Sequence, residues 1–100
     1  MKKIELSEQV LEFIRTQAPE PRKLLRAALH KLEQERGDIK TLEGPLKNYC
    51  RLRVSSYRII FVYAEGGKSI RCIYADRRNT IYTVFEELLQ QALRQEKSKS

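Results

Sequence analysis

A chain of 100 residues with 41% hydrophobic and 33% charged side chains is one domain, residues 1–100, around one modest core. No apolar run is long enough to span a membrane, and the basic start Met1–Lys3 leads into no apolar signal segment, so a cytoplasmic protein without membrane contact is expected. The formal charge of +7 is concentrated: Lys47, Arg51, Arg53, Arg58, Lys68, Arg71, Arg77 and Arg78 stand against only Glu65 and Asp76 in residues 47–82, which therefore carry +6.

The chain opens on alternation from Lys2 to Leu6, which predicts a short strand. Ser7 is placed to cap the helix that follows, with Glu8 favourable in its first turn and Leu6 and Leu11 spaced as a hydrophobic staple. Val10, Leu11 and Ile14 keep helical spacing until Ala18-Pro19 ends it. A second helix is predicted from Pro21, with Leu24, Leu25, Ala28, Leu29 and Leu32 on one face and Gly37 as its stop. His30 falls on the polar face and reads as a solvated side chain.

Thr41–Asn48, interrupted by Gly44-Pro45, reads as a loop. Three strands follow: Cys50–Val54, Tyr57–Ala64 and Lys68–Asp76, joined by two-residue turns at Ser55-Ser56 and Gly66-Gly67. Ile81-Tyr82 extends the chain into a helix from about Val84 to Arg94, and Glu96–Ser100 reads as a frayed tail. The prediction is an α+β fold: two N-terminal helices on a mostly antiparallel twisted sheet, with a C-terminal helix.

Directly opposed residues of a hairpin share a face. The two turns therefore assign Cys50, Leu52, Val54, Tyr57, Ile59, Phe61, Tyr63, Ile70, Cys72 and Tyr74 to the core side. Arg51, Arg53, Arg58 and Arg71 go to the other side, around a floor of Ile60, Val62 and Ile73. Arg53 stands opposite Arg58, and directly opposed like charges cost stability. Guanidinium groups gathered near the strand end that leads to Arg77-Arg78, with Tyr82 beyond it, suit phosphate clamping with base stacking. Cys50 and Cys72 share the core face two strands apart, about 9–10 Å, beyond disulfide reach, and read as small core residues. With His30 they are too few and wrongly spaced for zinc. No metal or other cofactor is expected.

Leu42 and Gly44, then Cys50-Arg51-Leu52-Arg53-Val54-Ser55-Ser56-Tyr57-Arg58-Ile59-Ile60-Phe61, then Asp76-Arg77-Arg78-Asn79-Thr80-Ile81-Tyr82, resemble the RelE/ParE toxin superfamily over nearly the whole chain. The resemblance implies the toxin of a type II toxin–antitoxin pair. RelE-like members are metal-independent ribonucleases that cut messenger RNA on the ribosome by attack of the RNA's own 2′-hydroxyl. Arg51 and Arg53 match the two basic positions of the family's R-L-R strand, Arg58 the arginine after its tyrosine, Arg78 the arginine of its last block and Tyr82 the terminal tyrosine.

On this reading Arg53, Arg58, Arg78 and Tyr82 act at the scissile phosphate, while Lys47, Arg51, Arg71 and Arg77 hold the RNA. Cys50 replaces an aromatic residue of the motif and Arg77 a histidine. Arg53 stands where the best-known ribonuclease members carry a lysine proposed as general base, a role arginine cannot take.

The alternative is a ParE-like toxin that inhibits DNA gyrase by binding and has no catalytic activity, and a third reading is a basic RNA-binding module outside any toxin system. The expected partners are messenger RNA and the ribosome, or gyrase, together with a cognate antitoxin. Its acidic C-terminal segment is expected to cover the floor Ile60, Val62 and Ile73 and the helix face of Phe85, Leu88, Leu89 and Leu93.

Overall fold

Ser7 ties the first helix to the sheet. Its hydroxyl accepts from the Val10 amide at 3.2 Å, as an N-cap does, and donates to the Ile73 carbonyl at 2.8 Å. The computed structural model describes residues 1–77 and 81–99, with side chains through residue 95. Its elements are β1 (Lys3–Leu6), α1 (Glu8–Arg15), α2 (Pro19–Leu32), β2 (Asp38–Thr41), β3 (Cys50–Val54), β4 (Tyr57–Ala64), β5 (Ser69–Asp76) and α3 (Ile81–Lys99).

One sheet runs in the order β1-β5-β4-β3-β2, with β1 parallel to β5 and every other pair antiparallel. It is the expected α+β arrangement, with helices on both faces. On one side Val10, Ile14, Leu25, Leu29 and Leu32 pack with Leu52, Val54, Ile59, Phe61, Ile70 and Cys72 into the main core. On the other, Ile81 and Phe85 of α3 cover Ile60 and Leu46, joined by Tyr49 and Tyr74. Both cysteines are free, Cys72 buried and Cys50 half-buried. No described helix is long and apolar enough to cross a membrane.

Four local expectations are corrected. The segment expected to run from α2 towards a loop contains an edge strand, β2, whose only apolar residue is Ile39, too little alternation for a sequence signal. Helix α2 starts at Pro19 and ends at Leu32, before Gly37. Gly37 instead leads into β2 with φ +128°, where a Cβ would lie 2.9 Å from Leu52 Cδ1. The β4–β5 connection has four residues, because Ala64 pairs with Ser69. Helix α3 begins at Ile81, whose side chain is completely buried, rather than after an extended Ile81-Tyr82 lead-in.

The Ser55-Ser56 turn gives the expected β3–β4 register, Arg53 opposite Arg58 and Leu52 opposite Ile59. The β4–β5 register holds from Tyr63–Ile70 to Phe61–Cys72 and then slips by one at a bulge, so Ile60 faces Tyr74 and Arg58 faces Asp76. A bulge inserts one residue on one strand and reverses the face of everything after it. Tyr74 therefore leaves the core face for the α3 side and Ala75 takes its place in the main core. The floor expected to be open is closed at Ile60, which α3 buries fully.

Candidate nucleic-acid interface

A cleft of about 340 Å³ opens where β2, β3, β4 and the first turn of α3 meet. Its lining is Lys40 and Thr41 from β2, Leu42 and Glu43 from the loop after it, Arg51 and Arg53 from β3, Arg58 from β4 and Tyr82 from α3. Strand pairing aims the cations into it: Lys40 lies opposite Arg51 and Arg53 opposite Arg58. Like charges directly opposed on a sheet are unfavourable; Asp38 across from Arg53 and Asp76 across from Arg58 offset part of that cost, and a bound polyanion would offset more.

The arginines differ in how they are held. Arg58 donates from Nη1 to the carbonyls of Ser55 at 3.2 Å and Tyr57 at 3.1 Å, so the β3–β4 turn fixes its guanidinium. The Arg51 side chain is only 12% exposed, with Nη1 3.3 Å from Asp38 Oδ1. That nitrogen is buried and makes no hydrogen bond among the described residues, so Asp38 faces it as a charge partner only. Arg53 is exposed.

The remaining expected residues divide. Arg71 shares the sheet face but lies at its far side, where Nε donates to Glu5 Oε2 at 2.8 Å. Arg77 turns to the opposite face, over the Tyr57 ring at 5.7 Å and within 3.4 Å of Gln17 Oε1 in the link between α1 and α2. The bulge in β5 causes this, because it swaps the side on which every later residue emerges. Lys47 is exposed in the loop before β3, outside the cleft lining. Arg78 lies outside the described residues. The structure therefore brings together Arg51, Arg53, Arg58 and Tyr82, and does not bring Lys47, Arg71 or Arg77 to them.

By sequence alone the chain matches no family profile and no curated protein. As a structure it is similar to the isolated RelE toxin of E. coli, with a TM-score of 0.64 at 17% identity over 92% of this chain and 99% of that one. The RelB–RelE antitoxin–toxin complex of Methanococcus jannaschii gives 0.63 at 22% identity, over 81% of this chain and 98% of that one. The RelE–RelB complex of Pyrococcus horikoshii gives 0.63 at 20% identity, over 78% and 96%. The chain has the RelE toxin fold.

Within that RelE-like fold, Lys40 and Glu43 are the cleft residues that sequence reasoning missed. Both sit in a stretch read as leading into or lying within a loop. Assigning β2 would have found Lys40, since its register sets it across from Arg51. The cleft can bind phosphate through three guanidinium groups and an ammonium, and Tyr82 adds a ring at its wall. The described lining also holds groups able to exchange protons, Lys40, Glu43 and Tyr82, which the arginines are not.

Proposed function

We propose that this chain is the toxin of a type II toxin–antitoxin pair and cuts messenger RNA on the ribosome, in the cytoplasm, by attack of the RNA's 2′-hydroxyl on the adjacent phosphate. The observation that carries the reading is the convergence of Arg51, Arg53, Arg58 and Tyr82 on one cleft. Guanidinium groups fixed beside a phosphate stabilise the charge that develops on its oxygens, often a large contribution to rate. The RelE fold and the antitoxin complexes of its structural neighbours support the toxin role and an antitoxin as partner.

The gyrase-binding alternative draws on two features: Arg53 in place of a lysine, and Arg77 turned away from the cleft. Paired assays separate them. In a purified translation system the protein should cleave ribosome-bound messenger RNA and leave gyrase supercoiling untouched. Inhibited supercoiling with intact RNA would reverse the assignment. Co-expression with the product of an adjacent small gene should relieve growth arrest and yield a stable complex.

A further inference from the structure

Arg51 enters the cleft with most of its side chain shielded from water, and a guanidinium so placed is drawn to the nearest counter-charge. Its directly opposed neighbour on β2 is Lys40, a like charge. Its neighbour on β4 is Ile60, which is apolar and fully buried. The counter-charge comes from the diagonal instead. Asp38, two residues before Lys40 on the same strand, brings Oδ1 to 3.3 Å from Arg51 Nη1. Diagonal neighbours of an antiparallel pair lie about 7–8 Å apart, within reach of a long side chain. The contact therefore swings the guanidinium along the strands, away from Lys40 and towards the Asp38–Arg53 rung of the sheet. Asp38 is 54% exposed and stands outside the cleft lining, so it acts on the cleft through Arg51. An ion pair with one partner this open to water adds little to stability. A displacement of about 1 Å at a reacting centre, by contrast, can cost about 10²-fold in rate. The pair therefore counts for more in placing the guanidinium than in holding the fold.

We propose that Asp38 is a positioning residue that holds the Arg51 guanidinium in place in the cleft, an inference that rests on the ribonuclease function proposed above. Its carboxylate touches neither the scissile phosphate nor the 2′-hydroxyl and exchanges no proton with them. It fixes the direction in which Arg51 presents its remaining donors, so that charge developing on the phosphate oxygens meets a guanidinium already oriented. Without Asp38 the long, flexible side chain turns its head out to water, and has to be ordered again before it can act. The loss falls on the catalysed step rather than on binding, because removing the carboxylate also removes a negative charge beside a polyanion.

The experiment compares wild type, Asp38→Asn, Asp38→Glu, Arg51→Ala and the double variant Asp38→Asn/Arg51→Ala on ribosome-bound messenger RNA. Single-turnover cleavage gives the plateau rate and the half-saturating protein concentration separately. Asp38→Asn should lower the plateau rate by about 10²-fold and leave the half-saturating concentration unchanged or lower. Asp38→Glu should recover part of the rate. The double variant should be no slower than Arg51→Ala alone, because a residue that acts only through another adds nothing once that one is gone. A merely structural role would shift the melting temperature of Asp38→Asn and leave the plateau rate of the folded protein at the wild-type value. Nitrogen NMR of the Arg51 guanidinium gives a readout independent of cleavage: its rotation should be slow in the wild type and fast in Asp38→Asn. A wild-type plateau rate in Asp38→Asn, losses that multiply in the double variant, or a freely rotating Arg51 in the wild type overturns this proposal alone. A wild type that cleaves no RNA overturns the ribonuclease reading and the proposal with it.

Discussion

Arg53 and Arg58 are the pair that sequence made visible. A two-residue turn leaves one register for β3 and β4, and that register sets the two guanidinium groups side by side on the face that α3 leaves open at the cleft. Arg58→Ala should lower RNA cleavage by about 10²–10³-fold, the usual effect of losing one preorganised donor. Thermal stability should change little, since relief of the like-charge pair is offset by loss of the hydrogen bonds to the Ser55 and Tyr57 carbonyls. Arg53→Lys keeps the cation and adds a group that can exchange a proton, so cleavage should hold or rise. Wild-type cleavage by Arg58→Ala would remove the cleft from the chemistry. Arg77 was misplaced for a definite reason. Its place at the strand end beside Arg53 and Arg58 put it with the cluster, but the extra residue at the β5 bulge sends it onto Tyr57 and Gln17. One inserted residue has no signature in a hydrophobic pattern, because Ile73 and Tyr74 are apolar enough for either face.

At the level of elements, the strongly patterned pieces were legible and the weakly patterned ones were not. Helix α1 with its Ser7 cap and strands β3 to β5 follow their apolar spacing. Strand β2 does not, because an edge strand with one half-buried side chain needs little hydrophobic signal; Lys40 was missed for that reason, and Glu43 was absorbed into the loop that follows. Helix α3 divides into two parts. Its first turns pack, Phe85 being 4% exposed and edge-on to Tyr49 with ring centroids 5.0 Å apart, whereas Leu93 is 57% exposed. Phe85→Ala should therefore cost about 3–5 kcal/mol in denaturant unfolding, as large-to-small core changes do, and should disturb the cleft, since Tyr82 is held by the same cluster. Leu93→Ser should cost about 0.5 kcal/mol or less. Equal losses for the two would mean that the distal part of α3 is packed as firmly as its start.

For the whole molecule, stability should respond to pH at the alkaline end through one buried thiol and one hydrogen-bonded phenol. Burial pushes the Cys72 thiol up from 9.0 to about 12. Partial burial and the hydrogen bond to Glu35, 2.8 Å away, raise the Tyr63 hydroxyl from 10.0 to about 12. Both groups are kept protonated by the fold, so their contribution is complete below pH 9 and is lost as pH rises through about 12. Unfolding free energy should fall over that window, and Cys72→Ala should flatten its lower part while Tyr63→Phe flattens the upper. The charge of +7 has a separate consequence, because only part of it faces the cleft. RNA binding there should weaken linearly in log–log salt titrations, by about 0.7 in slope for each phosphate neutralised on a single strand. With Lys40, Arg51, Arg53 and Arg58 in the lining and Arg51 partly engaged by Asp38, the slope should lie near −2 to −3, by that same relation. Arg53→Ala should reduce its magnitude by about 0.7. Arg71→Ala and Arg77→Ala should leave it unchanged, because one side chain is held by Glu5 and the other lies on the opposite face. If Arg71→Ala flattened the salt dependence as much as Arg53→Ala, the RNA would have to cross the sheet face well beyond the cleft, and the interface drawn here would be too small.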